Sequence, residues 1–151
     1  MAADAREAPR GVRLRDTQAS VAPRFEPLRD PRLDVLDQLD VGVWISDPEA
    51  AQILWANRGA LALWRATDLD ELLNRPNTSS ETTRATLVQL RDRVKGGERI
   101  RSDRTIYPLG VATLVRMTMS AYELPDGRTA LFVEAIPHSE RIDPDVLRAY
   151  E

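Results

Sequence analysis

Hydrophobic and polar positions change period several times along the chain, and each change marks an element. Asp30-Pro31 supplies a capping carboxylate and a proline suited to the first helical position. Leu33, Leu36 and Leu39 follow on one face, predicting a short amphipathic helix that ends near Asp40. Val41 to Ser46 and Gln52 to Ala56 then read as two strands joined through the turn signal Asp47-Pro48-Glu49. Asn57 opens a helical stretch through Leu61 and Trp64. Thr67 to Glu71 holds overlapping capping boxes, predicting a helix over Leu69, Leu72 and Leu73 that stops before Pro76. A further capping box, Thr78 to Glu81, opens the longest helix, which runs to about Lys95 with Leu87, Leu90 and Val94 on one face. Gly96-Gly97 closes it in the left-handed conformation that glycine adopts most readily.

The remainder is strand-like. Arg99 to Tyr107 alternates, Pro108-Leu109-Gly110 turns, and Ala112 to Tyr122 forms a long strand. Val115, Met117, Met119 and Ala121 share one of its faces, and Leu114, Arg116, Thr118, Ser120 and Tyr122 the other. Pro125-Asp126-Gly127 signals a hairpin before a last strand, Thr129 to Ile136, that is apolar at both parities. A strand of that kind is covered on both faces. The order predicts an α+β fold: one five-stranded antiparallel sheet, a helical insert on one face and an N-terminal flanking helix.

Three segments follow from composition. Residues 1–29 are rich in Arg, Ala and Pro without a sustained period and read as a solvated arm. Residues 30–137 hold the folded domain. Residues 138–151 begin a linker: Asp143-Pro144 repeats the helix-start signal, and the helix is cut short at Glu151. The expectation is that the chain continues into an output domain.

Charge and rare residues narrow the chemistry. With 151 residues and 42% hydrophobic content the chain can bury a core without staples. It has no cysteine and one histidine, His138, which removes thiolate metal sites, thiol catalysis and histidine clusters. Net charge is −3, so no global basic field draws in nucleic acid or anionic membrane. The N-terminus is charged where a signal peptide needs its apolar stretch, which points to the cytoplasm. No nucleophile–base arrangement or phosphate loop is visible.

Leu36 to Pro137 resembles a PAS domain, a sensor module of bacterial signalling proteins. Gly42-Val43-Trp44-Ile45-Ser46-Asp47 is similar to the family's first strand and acidic turn. Ile53 to Leu61 resembles its second strand and Asn-started helix, Leu69 to Leu73 the short helix that follows, Gly96-Gly97-Glu98 the break before the third strand, and Asp126-Gly127-Arg128 the last hairpin. Two positions depart from the family pattern. Arg65 stands where glycine often follows the Asn-started helix, and Glu134-Ala135-Ile136-Pro137 replaces an Asp-Ile-Thr ending. The resemblance implies strand order 2-1-5-4-3 and a pocket between sheet and insert. Candidate pocket residues are Trp44, Trp55, Asn57, Leu61, Leu87, Leu90, Tyr107, Arg116, Met117 and Met119. Each has a plainer role: the apolar ones as core, Asn57 as a helix cap, Arg116 on a half-solvated face.

The resemblance also implies an output such as a histidine kinase or a cyclic-di-nucleotide synthase or phosphodiesterase. The ligand is unknown. Without cysteine a covalent flavin is disfavoured, and without histidine between Ser80 and Tyr107 so is haem. Non-covalent FAD stays open, because tryptophan and asparagine can serve an isoalloxazine. A second reading is a ligand-free homodimerisation module using Leu33, Leu36, Leu39, Leu131 and Val133. A third, on fold analogy alone, is an enzyme using Asp47, Tyr107 or Glu134. No catalytic or metal-binding residue is assigned.

Overall fold

A computed structural model describes residues 28–77 and 79–138. The predicted arm and the start of the linker helix lie outside these residues, as does Thr78. Five strands form one antiparallel sheet: β1 (Gly42–Asp47), β2 (Gln52–Ala56), β3 (Ile100–Ile106), β4 (Thr113–Glu123) and β5 (Thr129–Pro137). Their order is β2-β1-β5-β4-β3, as expected. The fold is α+β, with helices α2 (Arg58–Leu63), α3 (Leu69–Leu73) and α4 (Glu81–Lys95) inserted between β2 and β3.

The predicted caps are formed. Asp68 accepts from the Glu71 amide and Ser80 from the Thr83 amide, each satisfying an orphan N–H of a first turn. Gly97, at φ +101°, takes the left-handed position after α4; Gly96 stays right-handed. The N-terminal helix is shorter than expected. Its α-helical part, α1, spans only Pro31–Asp34 and passes into a 3-10 turn, Val35–Gln38.

The sheet has two different faces. On the inner face Trp44, Met117, Met119, Leu131, Val133 and Ala135 pack with Leu72 of α3 and with Leu90 and Val94 of α4. On the outer face a smaller cluster, Val43, Ile45, Leu54 and Trp55, is covered by Leu33, with Leu28 and Leu36 against its edge. Every residue of β1 is therefore buried, since each parity has its own cover. The outer face of β3 and β4 carries Arg101, Asp103, Arg116 and Thr118 instead and is largely exposed.

A bulge in β2 decides which tryptophan faces which layer. Trp44 stands opposite Ala56 and Ile45 opposite Trp55, but Ser46 stands opposite Ile53, leaving Leu54 as the extra residue. Trp55 consequently joins the outer cluster. Leu131 and Val133, expected on an interface, lie in the inner core, and Leu33, also expected there, is only 3% exposed. A strand apolar on both faces satisfies two intramolecular layers here.

Candidate functional site

Between the inner sheet face and helices α3 and α4 lies an open cavity of about 1040 Å³, large enough for a metabolite-sized ligand. Of the sequence candidates, Trp44, Leu87, Leu90, Met117 and Met119 line it, and Tyr107 stands at its rim, 64% exposed. Leu131 and Val133 line it too. Leu61 packs against the neighbouring core without reaching the cavity. Trp64 closes one wall, its ring edge-on to Trp44 with centroids 5.5 Å apart. The mouth is polar, with Ser80, Thr82, Thr83 and Thr86 from the start of α4.

Three candidates are placed elsewhere. Trp55 faces the opposite layer. Arg116 points from the exposed outer face, its Nε 3.2 Å from Asp103 and a guanidinium nitrogen 3.2 Å from His138 Nε2. Asn57 is completely buried and all its hydrogen-bonding capacity is used within the protein. Its Oδ1 accepts from the Val43 amide (2.8 Å) and the Ala60 amide (2.9 Å). Its Nδ2 donates to the carbonyls of Leu36 (2.7 Å) and Val41 (3.0 Å). Asn57 thus ties the N-terminal segment, β1 and α2 into one joint and leaves no group for a ligand.

The acids proposed for catalysis do not converge. Asp47 accepts from the Glu49 amide at 3.1 Å and pairs with Arg128 at 3.0 Å, bolting the β1–β2 turn to the β4–β5 hairpin. Glu134 pairs with Arg99 on the outer face, and Tyr107 is exposed.

The roof of the cavity is held by Arg75. Its guanidinium donates to the carbonyls of Trp64 (2.7 Å) and Arg65 (2.9 Å) and pairs with Glu71 at 2.8 Å. That hydrogen bond holds the Glu71 carboxyl below its ordinary range. The clamp fixes the turn at Arg65, which adopts φ +56°. This is the place where the family pattern favours glycine. Sequence reasoning missed Trp64 and Arg104 as wall residues. Arg104 was findable: it shares strand parity with Ile100 and Ile106, whose side chains are buried in the inner layer.

An antiparallel five-stranded sheet with a helical insert roofing an apolar cavity, and an N-terminal segment covering part of the other face, defines a single-sheet α+β module. Residues 33–95 match the family model described as PAS domain. The chain carries a PAS domain, a regulatory module.

Solved structures agree on the fold. The PAS domain of nitrogen regulation protein NR(II) from Vibrio parahaemolyticus has a TM-score of 0.53 at 18% identity, covering 72% of this chain and 99% of that one. The PAS domain of BvgS from Bordetella pertussis has a TM-score of 0.52 at 20% identity, covering 80% and 95%. A PAS domain from Desulfitobacterium hafniense has a TM-score of 0.54 at 14% identity, covering 68% and 96%. No curated protein matches the chain. Among the described residues no helix is long and apolar enough to cross a membrane, and no group of three or more side chains could hold a metal ion.

Proposed function

We propose that this PAS domain is the sensory part of a cytoplasmic bacterial signalling protein and that a small molecule bound in the cavity is its input. The observation that carries this reading is the cavity together with the Asn57 joint. Helix α2 ends in Trp64, which walls the cavity, and begins at Asn57, which is bonded to the N-terminal segment on the other face of the sheet. A ligand that favours one position of α2 would therefore bias the N-terminal segment as well. The change would reach an output domain through the flanking segments. A histidine kinase suits that role, since a PAS domain of a two-component sensor histidine kinase shares the fold; a cyclic-di-nucleotide synthase or phosphodiesterase is the other output in this reading. Native mass spectrometry of the purified chain tests the input. A retained mass beyond the polypeptide is the expected result, and its size separates FAD from a smaller metabolite. A bare chain whose melting temperature no metabolite mixture raises would refute the reading.

A second reading, a homodimerisation module, is favoured by apolar side chains left on the surface. Val35 (59% exposed) and Leu39 (42%) point outward from the N-terminal segment whose Leu33 and Leu36 point inward. Val35→Asp with Leu39→Asp should give a folded monomer if this surface joins two copies. An unchanged dimer would count against it. Leu36→Asp would instead undock the segment from its own sheet.

A further inference from the structure

Two N–H groups at the cavity wall lack an acceptor. Trp64 Nε1 and Arg104 Nε are both shielded from solvent, and neither has a hydrogen-bond partner among the described residues. Buried donors are nearly always paired in native proteins, so two orphans in one cavity point to an acceptor supplied from outside the chain. Both residues line the same cavity, Trp64 from the end of α2 and Arg104 from β3.

Charge sharpens the choice. Of the two cations lining the cavity among the described residues, Arg75 is engaged by Glu71 and two carbonyls. Arg104 has no ion pair with any described residue. Asp103, the one acid among the described lining residues, turns its carboxylate to the outer face, 3.2 Å from Arg116 and 3.4 Å from His138. One unpaired guanidinium suits one negative charge; a phosphate dianion would need more donors. Beside it the wall is Trp44, Leu90, Met117, Met119 and Leu131. We propose that the cavity takes a small organic monocarboxylate with an apolar body, its oxygens accepting from Arg104 and Trp64 and its body against that wall. The inference rests on the reading of the cavity as a ligand site.

The test compares 4-phenylbutyrate with its neutral amide, 4-phenylbutyramide, by isothermal titration on the full chain and on Arg104→Gln. A charge-assisted hydrogen bond predicts at least about tenfold tighter binding of the acid, lost in Arg104→Gln. The three tryptophans give a second readout. In ¹⁵N-correlated spectra the Trp64 indole N–H, assigned with Trp64→Phe, should move on titration with the acid. That of Trp55, on the far face, should stay. If Arg104→Gln does not fold, the acid–amide comparison and the indole shift on the parent chain still decide. Equal affinity for acid and amide, or an acid preference that survives in Arg104→Gln, overturns the inference and leaves the ligand-site reading standing. No saturable binding of either compound also overturns the inference, while the ligand-site reading is decided separately by the retained mass and the melting temperature.

Discussion

Asn57 offers the sharpest test of how the two faces of the sheet are joined. Replacing it with alanine removes a fully buried side chain and strands the amides of Val43 and Ala60 and the carbonyl of Val41, while the carbonyl of Leu36 keeps the Leu39 amide at 3.1 Å. Loss of a helix cap alone costs about 1 kcal/mol. Each further buried group left unpaired adds about 1–3 kcal/mol. Allowing for partial relaxation, Asn57→Ala should lose about 3–5 kcal/mol in urea unfolding. Asn57→Asp makes the argument specific. It keeps the acceptor but sets a second oxygen where Nδ2 stood, 2.7 and 3.0 Å from two carbonyl oxygens. Burial and those carbonyls disfavour the carboxylate, so the folded-state pKa must rise above the unfolded value of about 3.9. A raised folded pKa means that the folded state binds more protons than the unfolded state between the two values. Stability is then fully present below about pH 4 and falls as pH rises toward the folded pKa, by about 1.4 kcal/mol per pH unit. Unfolding curves of parent and Asn57→Asp should diverge progressively between pH 4 and 7, by up to about 4 kcal/mol. A difference that stays flat across that range would refute the joint described here.

Further outcomes follow from single contacts. A Cβ on Gly59 would lie 2.6 Å from the carbonyl oxygens of Asp40 and Val41, which are backbone and cannot swing away; Gly59→Ala should destabilise by about 1–3 kcal/mol or more in thermal melts. Arg65→Gly relieves a left-handed residue and should gain about 0.5–1 kcal/mol by the same measurement, the relief exceeding the added flexibility of the unfolded chain. Asp30 caps α1 and is bonded to the Arg32 side chain, the Tyr122 hydroxyl and the Arg32 amide, which hold its carboxyl well below the usual range. A depressed folded pKa contributes stability that is present above about pH 4 and lost as pH falls through the folded value. Acid should therefore loosen residues 31–38 in hydrogen exchange, and Asp30→Asn should do so at neutral pH.

Local chemistry made the elements legible in the sequence. Capping residues, prolines and the Gly-bearing hairpin act within a few residues, so Asn57, Asp68, Ser80 and Gly127 mark their elements without tertiary information. Face assignment is where sequence reasoning failed, for two physical reasons. The bulge at Leu54 shifts parity by one residue, and no composition signal in Gln52 to Ala56 announces it. It sent Trp55 away from the cavity that Trp44 lines. In β5 both parities are apolar, so alternation carries no information about which face holds Leu131 and Val133. Only pairing with β1 and β4 decides it. Arg104 was passed over for another reason, although its parity with Ile100 and Ile106 puts it on the inner face. An arginine on an edge strand reads as solvated until the helices above it are in place.

These errors share a consequence for the candidate site. The residues that looked chemically distinctive, Asn57, Arg116 and Asp47, are all satisfied by protein partners and act as joints. Those left unsatisfied are an indole N–H and a guanidinium that drew no notice as side chains in a sequence. A structural polar group is completed by the fold itself, whereas a binding group in a ligand-free protein remains incomplete, because its partner is the ligand. Among the described residues the incompleteness is confined to the cavity wall and to Arg84, whose Nε is also unpartnered but which does not line the cavity. Arg84→Gln should therefore leave the acid–amide discrimination intact where Arg104→Gln removes it, which separates a missing ligand from an arginine that is merely buried.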